Sequence, residues 1–168
     1  MTIDRPTMPT IFNSEKNSNV SGWRIINDGV MGGNSKGTFY LNEERVGVFK
    51  GTVSTKNNGG FTLLRNRISK IKTTEFKKVI LNIKGDGKRY QFRLKSNKND
   101  QHSFITYFET TEDWQQIEIL LTEMTPNFRG QKLDLPNYNG AQIEEIGFLV
   151  GNKKNENFKL QIKSIILK

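Results

Sequence analysis

The chain has 168 residues, no cysteine and one histidine, and its 26 basic side chains exceed its 17 acidic ones, for a formal charge of +9. This length fits one domain with its own core, and the lack of cysteine excludes disulfides, thiolate catalysis and cysteine-bound metals. Because no long apolar run and no secretory leader are found, we expect no membrane span and a cytoplasmic location.

Residues 1–18 contain two prolines and no periodic pattern, which predicts a flexible or loosely draped N-terminal arm. Residues 19–168 follow without a linker or an internal repeat. We therefore expect them to form a single domain.

Apolar and polar residues alternate through most of this predicted domain, and a period of two is typical of strands. The predicted strands are Trp23–Ile26, Gly37–Leu41, Val46–Ser54, Phe61–Arg65, Phe104–Phe108, Gln116–Leu121, Ile143–Val150 and Phe158–Leu167. Short helical turns are expected only near residues 73–78 and 123. About ten short strands predict an antiparallel sandwich or barrel.

Two strands joined by Gly85-Asp86-Gly87-Lys88 form the clearest predicted hairpin, since Asp-Gly favours the positive φ angles of a tight turn. On the second strand, Arg89, Arg93 and Lys95 share the face opposite the apolar residues, so we expect a basic, solvent-accessible stripe there. The alternation predicts these core residues: Val79, Leu81, Ile83, Tyr90, Phe92, Phe148, Leu160 and Ile162.

Two glycine-rich stretches lie between predicted strands: residues 27–35 read NDGVMGGNS and residues 57–61 read NNGGF. Glycine at this density marks a sharp turn or a close approach of backbone. A phosphate-binding loop is not predicted, because the lysine of that motif is missing and no helix follows. We expect two loops that meet at one place, with Asp28 accepting backbone N–H bonds or pairing with Arg129.

Five motifs, in their order and spacing, resemble the complex I intermediate-associated protein 30 family over about residues 20–168: W…NDGVMGGNS, FKGTVSTKNNGGF, GDGKRYQF, PNFRG and IEEIGFLV. The resemblance implies an all-β, antiparallel jelly-roll β-sandwich, galactose-binding-domain-like and related to carbohydrate-binding modules. The mitochondrial member is an assembly chaperone for respiratory complex I, whereas this chain is similar to the short bacterial form.

The resemblance also implies which residues form a binding site. The first two motifs imply a signature loop and a second glycine loop, and the next two imply a turn and a Phe128-Arg129-Gly130 segment. The candidate binding residues are Asp28, Gly29, Met31, Gly32, Gly33, Ser35, Asn58, Gly59, Gly60, Asp86, Arg89, Tyr90, Arg129 and Gly130.

No catalytic residue, metal ligand or cofactor is expected. A catalytic triad could rest only on His102, which lies in a polar turn, so hydrolase chemistry is not expected. The acidic pairs are interpreted as solvated turn residues rather than a glycosidase pair; they are Glu43-Glu44, Glu112-Asp113 and Glu144-Glu145.

Two functions remain open. The first is a non-enzymatic protein-binding module that captures an exposed surface of an unassembled partner, such as a respiratory-complex subunit. The second is carbohydrate binding, which the fold class supports only by analogy and which needs exposed aromatic side chains. Trp23 and Trp114 are expected in the core, so Tyr40, Tyr107 or Tyr138 would supply them. Nucleic-acid binding is not expected, because the basic residues are spread along the chain.

Overall fold

The computed structural model describes residues 10–16, 20–27, 33–56 and 60–168. Two antiparallel sheets form within these ranges, joined by turns and one 3₁₀ turn at Leu121–Glu123. No helix among these residues is long and apolar enough to cross a membrane.

The smaller sheet has six strands. In spatial order they are Lys36–Leu41 (β3), Gly47–Val53 (β4), Glu156–Leu167 (β13), Lys78–Lys84 (β6) and Trp114–Leu120 (β9), with Thr10–Asn13 (β1) also paired to β13.

The larger sheet has seven strands. In spatial order they are Gln131–Lys132 (β11), Thr125–Phe128 (β10), Ser103–Glu109 (β8), Arg89–Lys95 (β7), Gln142–Val150 (β12), Thr62–Lys72 (β5) and Trp23–Asn27 (β2).

The apolar faces of the two sheets meet in one core, which confirms the predicted all-β jelly-roll sandwich. The aromatic residues Phe92 and Phe148 pack edge to face, with ring centroids 5.6 Å apart. All eight predicted core residues are buried. The predicted alternation therefore identifies the inward side of each of these strands correctly.

The predicted hairpin around Asp86 is wrong, because β6 belongs to the smaller sheet and β7 to the larger one. Residues 85–88 instead carry the chain across the core, and only Gly87 in them has a positive φ, of 82°. The two apolar faces oppose each other across the core rather than lying side by side. β6 pairs with β9 and β7 with β8.

The predicted N-terminal arm is wrong for Thr10–Asn13, which form β1 and pair with β13. Phe12 is buried, and its ring lies 5.3 Å from that of Trp23, edge to face. Phe12 contacts the rings of both Trp23 and Phe39, and these apolar contacts hold the segment against the core. The strand has only four residues, so its alternation is too short to recognise in the sequence. Residues 1–9 and 17–19 lie outside the described residues.

Phe92→Ala should destabilise the fold by about 3–5 kcal/mol, since it removes a fully buried ring and leaves a cavity. Urea unfolding followed by far-ultraviolet circular dichroism measures the change. Leu120→Ala is the matched control, because Leu120 is 45% exposed, and it should cost less than about 1 kcal/mol. Equal losses for the two variants would contradict the packing described here.

Candidate functional site

Five connections that cross between the sheets gather at one end of the sandwich, following β2, β4, β6, β8 and β12. We call this end the signature end, because the two glycine-rich stretches and the Gly85-Asp86-Gly87-Lys88 segment lie between strands that end or begin there. Its described parts are residues 33–35, 54–56, 60–61, 85–88, 110–113 and 151–155.

The flanks of the two glycine-rich loops lie side by side at the signature end. Asn27 pairs with Thr62 where β2 ends and β5 begins. The Ser35 hydroxyl donates to the Ser54 carbonyl at 3.2 Å and accepts from the Ser54 N–H at 2.9 Å. Both loops thus start and finish at neighbouring positions, as the expected meeting of the two loops requires.

Part of the predicted site lies outside the described residues, and its role in binding stays a prediction. Gly33, Ser35 and Gly60 are described, and of these only Gly60 has a positive φ, of 139°. A Cβ on Gly151 would come within 2.6 Å of the Gly60 carbonyl, so two connections touch here through backbone. The predicted residues outside the described ranges are Asp28, Gly29, Met31, Gly32, Asn58 and Gly59.

Asp86 and Tyr90 fix the crossing from β6 to β7. The Asp86 carboxylate accepts from the Tyr90 hydroxyl at 2.9 Å and from the Lys159 N–H at 2.8 Å. Burial and the charge of Asp86 raise the pKa of Tyr90, so the phenol stays neutral and keeps donating. These contacts join the two sheets, since Lys159 lies in β13.

Arg89 links the signature end to the outward face of the larger sheet. Its guanidinium lies 4.2 Å from the centroid of the Tyr107 ring, and its carbonyl accepts from the Asn152 side chain at 3.2 Å. Tyr107 is 50% exposed, and its hydroxyl accepts from Gln91 at 3.1 Å. This is the most exposed aromatic group of the described residues on that face.

Arg129 and Gly130 do not join the other predicted residues. They form the turn between β10 and β11 with φ angles of 50° and 80°, and the Arg129 guanidinium lies 5.3 Å from the Phe128 ring centroid. Asn127 pairs with Ser103 at the start of β8, at the end of the sandwich opposite the signature end. The predicted contact with Asp28 therefore receives no support from the described strands.

Five cations cluster around Glu145 and Gly147 on the outward face of the larger sheet, and we call this cluster the basic face: Arg24, Arg65, Arg67, Arg93 and Lys95. The register brings them together, because Arg24 pairs with Arg65, and Arg65 and Arg93 both pair with Gly147. A pocket of about 490 Å³ beside Arg24 and Arg65 is lined by Ser21, Gly22 and three of these arginines.

Glu145 is the carboxylate among these cations. It is only 6% exposed, and it pairs with Arg67 at 3.2 Å and with Arg65 at 3.9 Å. The expectation that Glu144 and Glu145 are solvated turn residues is wrong, since both lie in β12. Glu145 points to the outward face of the sheet and is covered there by the neighbouring arginines.

The cations of the basic face are only partly neutralised. Burial lowers the pKa of Lys95; Glu145 opposes this effect, while Arg65, Arg67 and Arg93 lower the pKa further. Burial also lowers the pKa of Arg93. One carboxylate thus serves a cluster whose members repel each other, and an added anion would relieve that repulsion.

A row of aliphatic side chains lies beside the cations, two residues farther along each strand towards the signature end. Ile26 pairs with Leu63, and Leu63 pairs with Leu149 across β5 and β12. The three side chains are half-buried and do not belong to the core between the sheets. The larger sheet therefore offers charge and apolar surface side by side.

The remaining candidate residues divide by exposure. Trp23 is buried as predicted, but Trp114 is 41% exposed, which corrects the expectation that both lie in the core. Lys163 lies 5.2 Å from the Trp114 ring centroid on the smaller sheet. Tyr138 is buried and shares a 2.7 Å hydrogen bond with Thr73, so it cannot contact a ligand on the surface.

Side chains that could serve in acid–base catalysis or metal binding, within the part of the chain that the structure describes, include His102, Glu112 and Asp113. His102 packs edge to face on Phe104, with ring centroids 5.2 Å apart. No group of three or more histidine, cysteine, aspartate and glutamate side chains in those ranges is placed to hold a metal ion. Glu112 and Asp113 are exposed in the turn before β9.

Comparison with known proteins identifies the family. The sequence profile of Complex I intermediate-associated protein 30 (CIA30) matches residues 12–162. The chain belongs to this family. None of the curated protein sequences matches it significantly.

Solved structures show that this CIA30 member shares its fold with carbohydrate-binding modules. A family 11 module from Clostridium thermocellum, in complex with a beta-1,3-1,4-mixed-linked tetrasaccharide, has a TM-score of 0.65 at 16% identity over 94% of this chain and 93% of that one. The family 11 module of the cellulase Lic26A-Cel5E of the same organism has a TM-score of 0.67 at 15% identity, over 96% and 94%.

A part of an exo-beta-agarase is also similar, with a TM-score of 0.60 at 12% identity over 96% of this chain and 25% of that one. At such low identities the likeness shows the jelly-roll fold alone. The CIA30 match and these neighbours have in common a fold typical of non-catalytic binding modules.

Sequence reasoning identified Arg89, Arg93 and Lys95 but missed Arg24, Arg65 and Arg67. A signal was present in residues 62–67, TLLRNR, where the arginines alternate with Leu64 and Asn66. What the sequence does not show is the strand order, which places β5 and β7 on either side of β12.

Asp86→Ala should destabilise the fold by about 1–3 kcal/mol, because it leaves the Tyr90 hydroxyl and the Lys159 N–H without their acceptor. Asp113→Ala is the control, since Asp113 is an exposed acid in a turn at the same end, and it should change stability by less than about 0.5 kcal/mol. Urea unfolding at neutral pH compares the two. A neutral effect of Asp86→Ala would refute the anchoring role.

In the folded chain, the pKa of Lys95 should lie below its usual value of 10.5. The unfolded chain then binds more protons than the folded one between the lowered pKa and 10.5, so Lys95 makes stability rise with pH in that window. NMR titration of the Lys95 Cε group measures the pKa directly.

Two variants test the causes of this shift. Glu145→Gln should lower the pKa of Lys95 further, because it removes the charge that opposes the shift, and Arg67→Gln should raise it. A titration of Lys95 that neither variant moves would show that the cations do not interact as described.

Proposed function

We propose that this chain is a non-enzymatic protein-binding module that acts as an assembly factor or chaperone, with a subunit of an unassembled respiratory complex as its partner. The observation that carries the proposal is the basic face with its adjacent aliphatic row, which lies outside the core of the sandwich. Membership of the CIA30 family supports a role in complex assembly. The proposed location is the cytoplasm.

The mechanism is temporary cover of a surface that is buried once the partner is assembled. Charged residues steer the encounter and select the partner, whereas aliphatic contacts contribute most of the affinity. Arg24 and Arg67 are accessible for the first task, and Ile26, Leu63 and Leu149 for the second. The rigid sheet holds both groups in place without a conformational change.

An affinity pull-down from the native host, read by mass spectrometry, tests this function. The wild-type chain and Lys159→Gln, which alters an exposed lysine of the smaller sheet, should recover the same subunits of one complex. The double variant Arg24→Gln with Arg67→Gln should recover at least about tenfold less, a loss of about 1.4 kcal/mol. Recovery of no protein above the bead control would overturn the proposed function.

Carbohydrate binding is the second candidate, and one observation favours it. Tyr107 is half exposed beside Gln91 and Arg89, and an aromatic ring next to hydrogen-bonding groups suits the apolar face and hydroxyls of a sugar. A glycan array with wild-type chain and Tyr107→Ala tests it. Retention of a neutral glycan that is lost in Tyr107→Ala would favour this candidate over protein capture.

A further inference from the structure

We propose that the basic face binds an extended segment of the partner in which an acidic side chain and an aliphatic one stand two residues apart. This inference rests on the proposed function and names the chemistry of the partner's segment. Its carboxylate would contact the guanidinium groups of Arg65 and Arg93, which flank Gly147, and its aliphatic side chain would lie over Leu149.

Arg65 and Arg93, on either side of the buried Gly147, provide the place for the carboxylate. Gly147 pairs with Arg65 on one side and with Arg93 on the other, so the two arginines flank backbone that carries no side chain. Strands lie about 4.8 Å apart, which separates their Cα atoms by roughly 10 Å. Long arginine side chains can close on one carboxylate over this distance, and such charge-assisted pairs are the stronger hydrogen bonds.

The charges of the basic face are complementary to an acid. Five cations surround a single carboxylate, Glu145, which already pairs with Arg67 and Arg65. Arg93 donates to the neutral Gln91 at 2.9 Å, and Arg65 has a buried Nε that meets no acceptor in the described part of the chain. The crowding of like charges around Lys95 adds a reason for an anion to bind here.

The spacing along the strands suits a peptide. Glu145, Gly147 and Leu149 point outward at successive alternate positions of β12, and an extended peptide repeats its own facing side chains every ~6.7 Å in the same way. A segment lying along β12 would thus meet Gly147 and Leu149 with side chains two residues apart. The partner's segment needs no charged side chain above Glu145, because this carboxylate already pairs with Arg65 and Arg67.

The aliphatic row decides between classes of ligand. Ile26, Leu63 and Leu149 line the path next to the cations, and a peptide supplies aliphatic side chains that bury them. Nucleic acids and sulfated sugars match the positive charge but have no branched aliphatic side chains to cover this row. The observations therefore favour an acidic and aliphatic protein segment.

Fluorescence anisotropy with synthetic probes tests the proposal. The main probe is a fluorescein-labelled peptide of Glu-Thr-Leu-Thr repeats, and the matched probes replace either Glu with Gln or Leu with Ser. The wild-type chain should bind the main probe at least about tenfold more tightly than either matched probe, a difference of about 1.4 kcal/mol. Its affinity should fall with added salt.

Chain variants locate the binding site. Arg93→Gln should weaken the main probe at least about tenfold, whereas Lys159→Gln, on the outward face of the smaller sheet, should bind like the wild type. If circular dichroism shows Arg93→Gln to be unfolded, Arg65→Gln replaces it, because Arg65 is the other arginine that flanks Gly147. If the arginine variant is folded and binds the main probe as tightly as the wild type, the proposal is wrong.

Other outcomes are equally decisive. Tighter binding of a heparin-derived oligosaccharide or of oligothymidylate than of the main probe would overturn the choice of a peptide. A partner recovered in the pull-down, but not displaced by excess main probe, would refute this inference while the proposed function stands. Recovery of no partner would refute the function, whatever the probes show.

Discussion

The inward faces of the two sheets pack against each other, and this contact decides which side chains the outward faces can carry. Phe92 and Phe148 are paired residues of the larger sheet, and both rings point into this core with centroids 5.6 Å apart. Because side chains alternate along a strand, burial of these rings turns their neighbours Arg93 and Gly147 outward, where they pair. The same strand register places the core residues on one face and the basic residues on the other. If a strand slipped by one residue, its inward and outward side chains would exchange places.

Alternation made the inward residues of β6 and β7 predictable, but it carries no information about which strands pair. Asp86 shows the difference: an Asp-Gly turn between two amphipathic strands is typical of a hairpin, yet here the strands face each other across the core. For the same reason Arg24 and Arg65 could each be placed outward, while their contact depends on a register that only the structure provides. Glu145 in a buried position was not predictable at all.

Glu145 limits how strongly the basic face can be charged. A buried carboxylate is expensive to desolvate, and it is tolerated because Arg67 and Arg65 pair with it. Removing it would leave a more positive surface with a stronger field, but also more repulsion in the folded state. The sheet thus combines a modest positive field with a stable fold, which is a compromise that proteins often show where a surface also has a function.

The position of β13 has a consequence for synthesis of the chain. It is the last strand in chain order, yet it lies in the middle of the smaller sheet, between β4 and β6, and β1 also pairs with it. During synthesis, β4 and β6 are made before the strand that pairs with both of them, so their backbone edges lack this partner until β13 has been made. Formation of the smaller sheet thus depends on pairing between residues far apart in the sequence, which makes folding slow and leaves the unpaired strands open to aggregation.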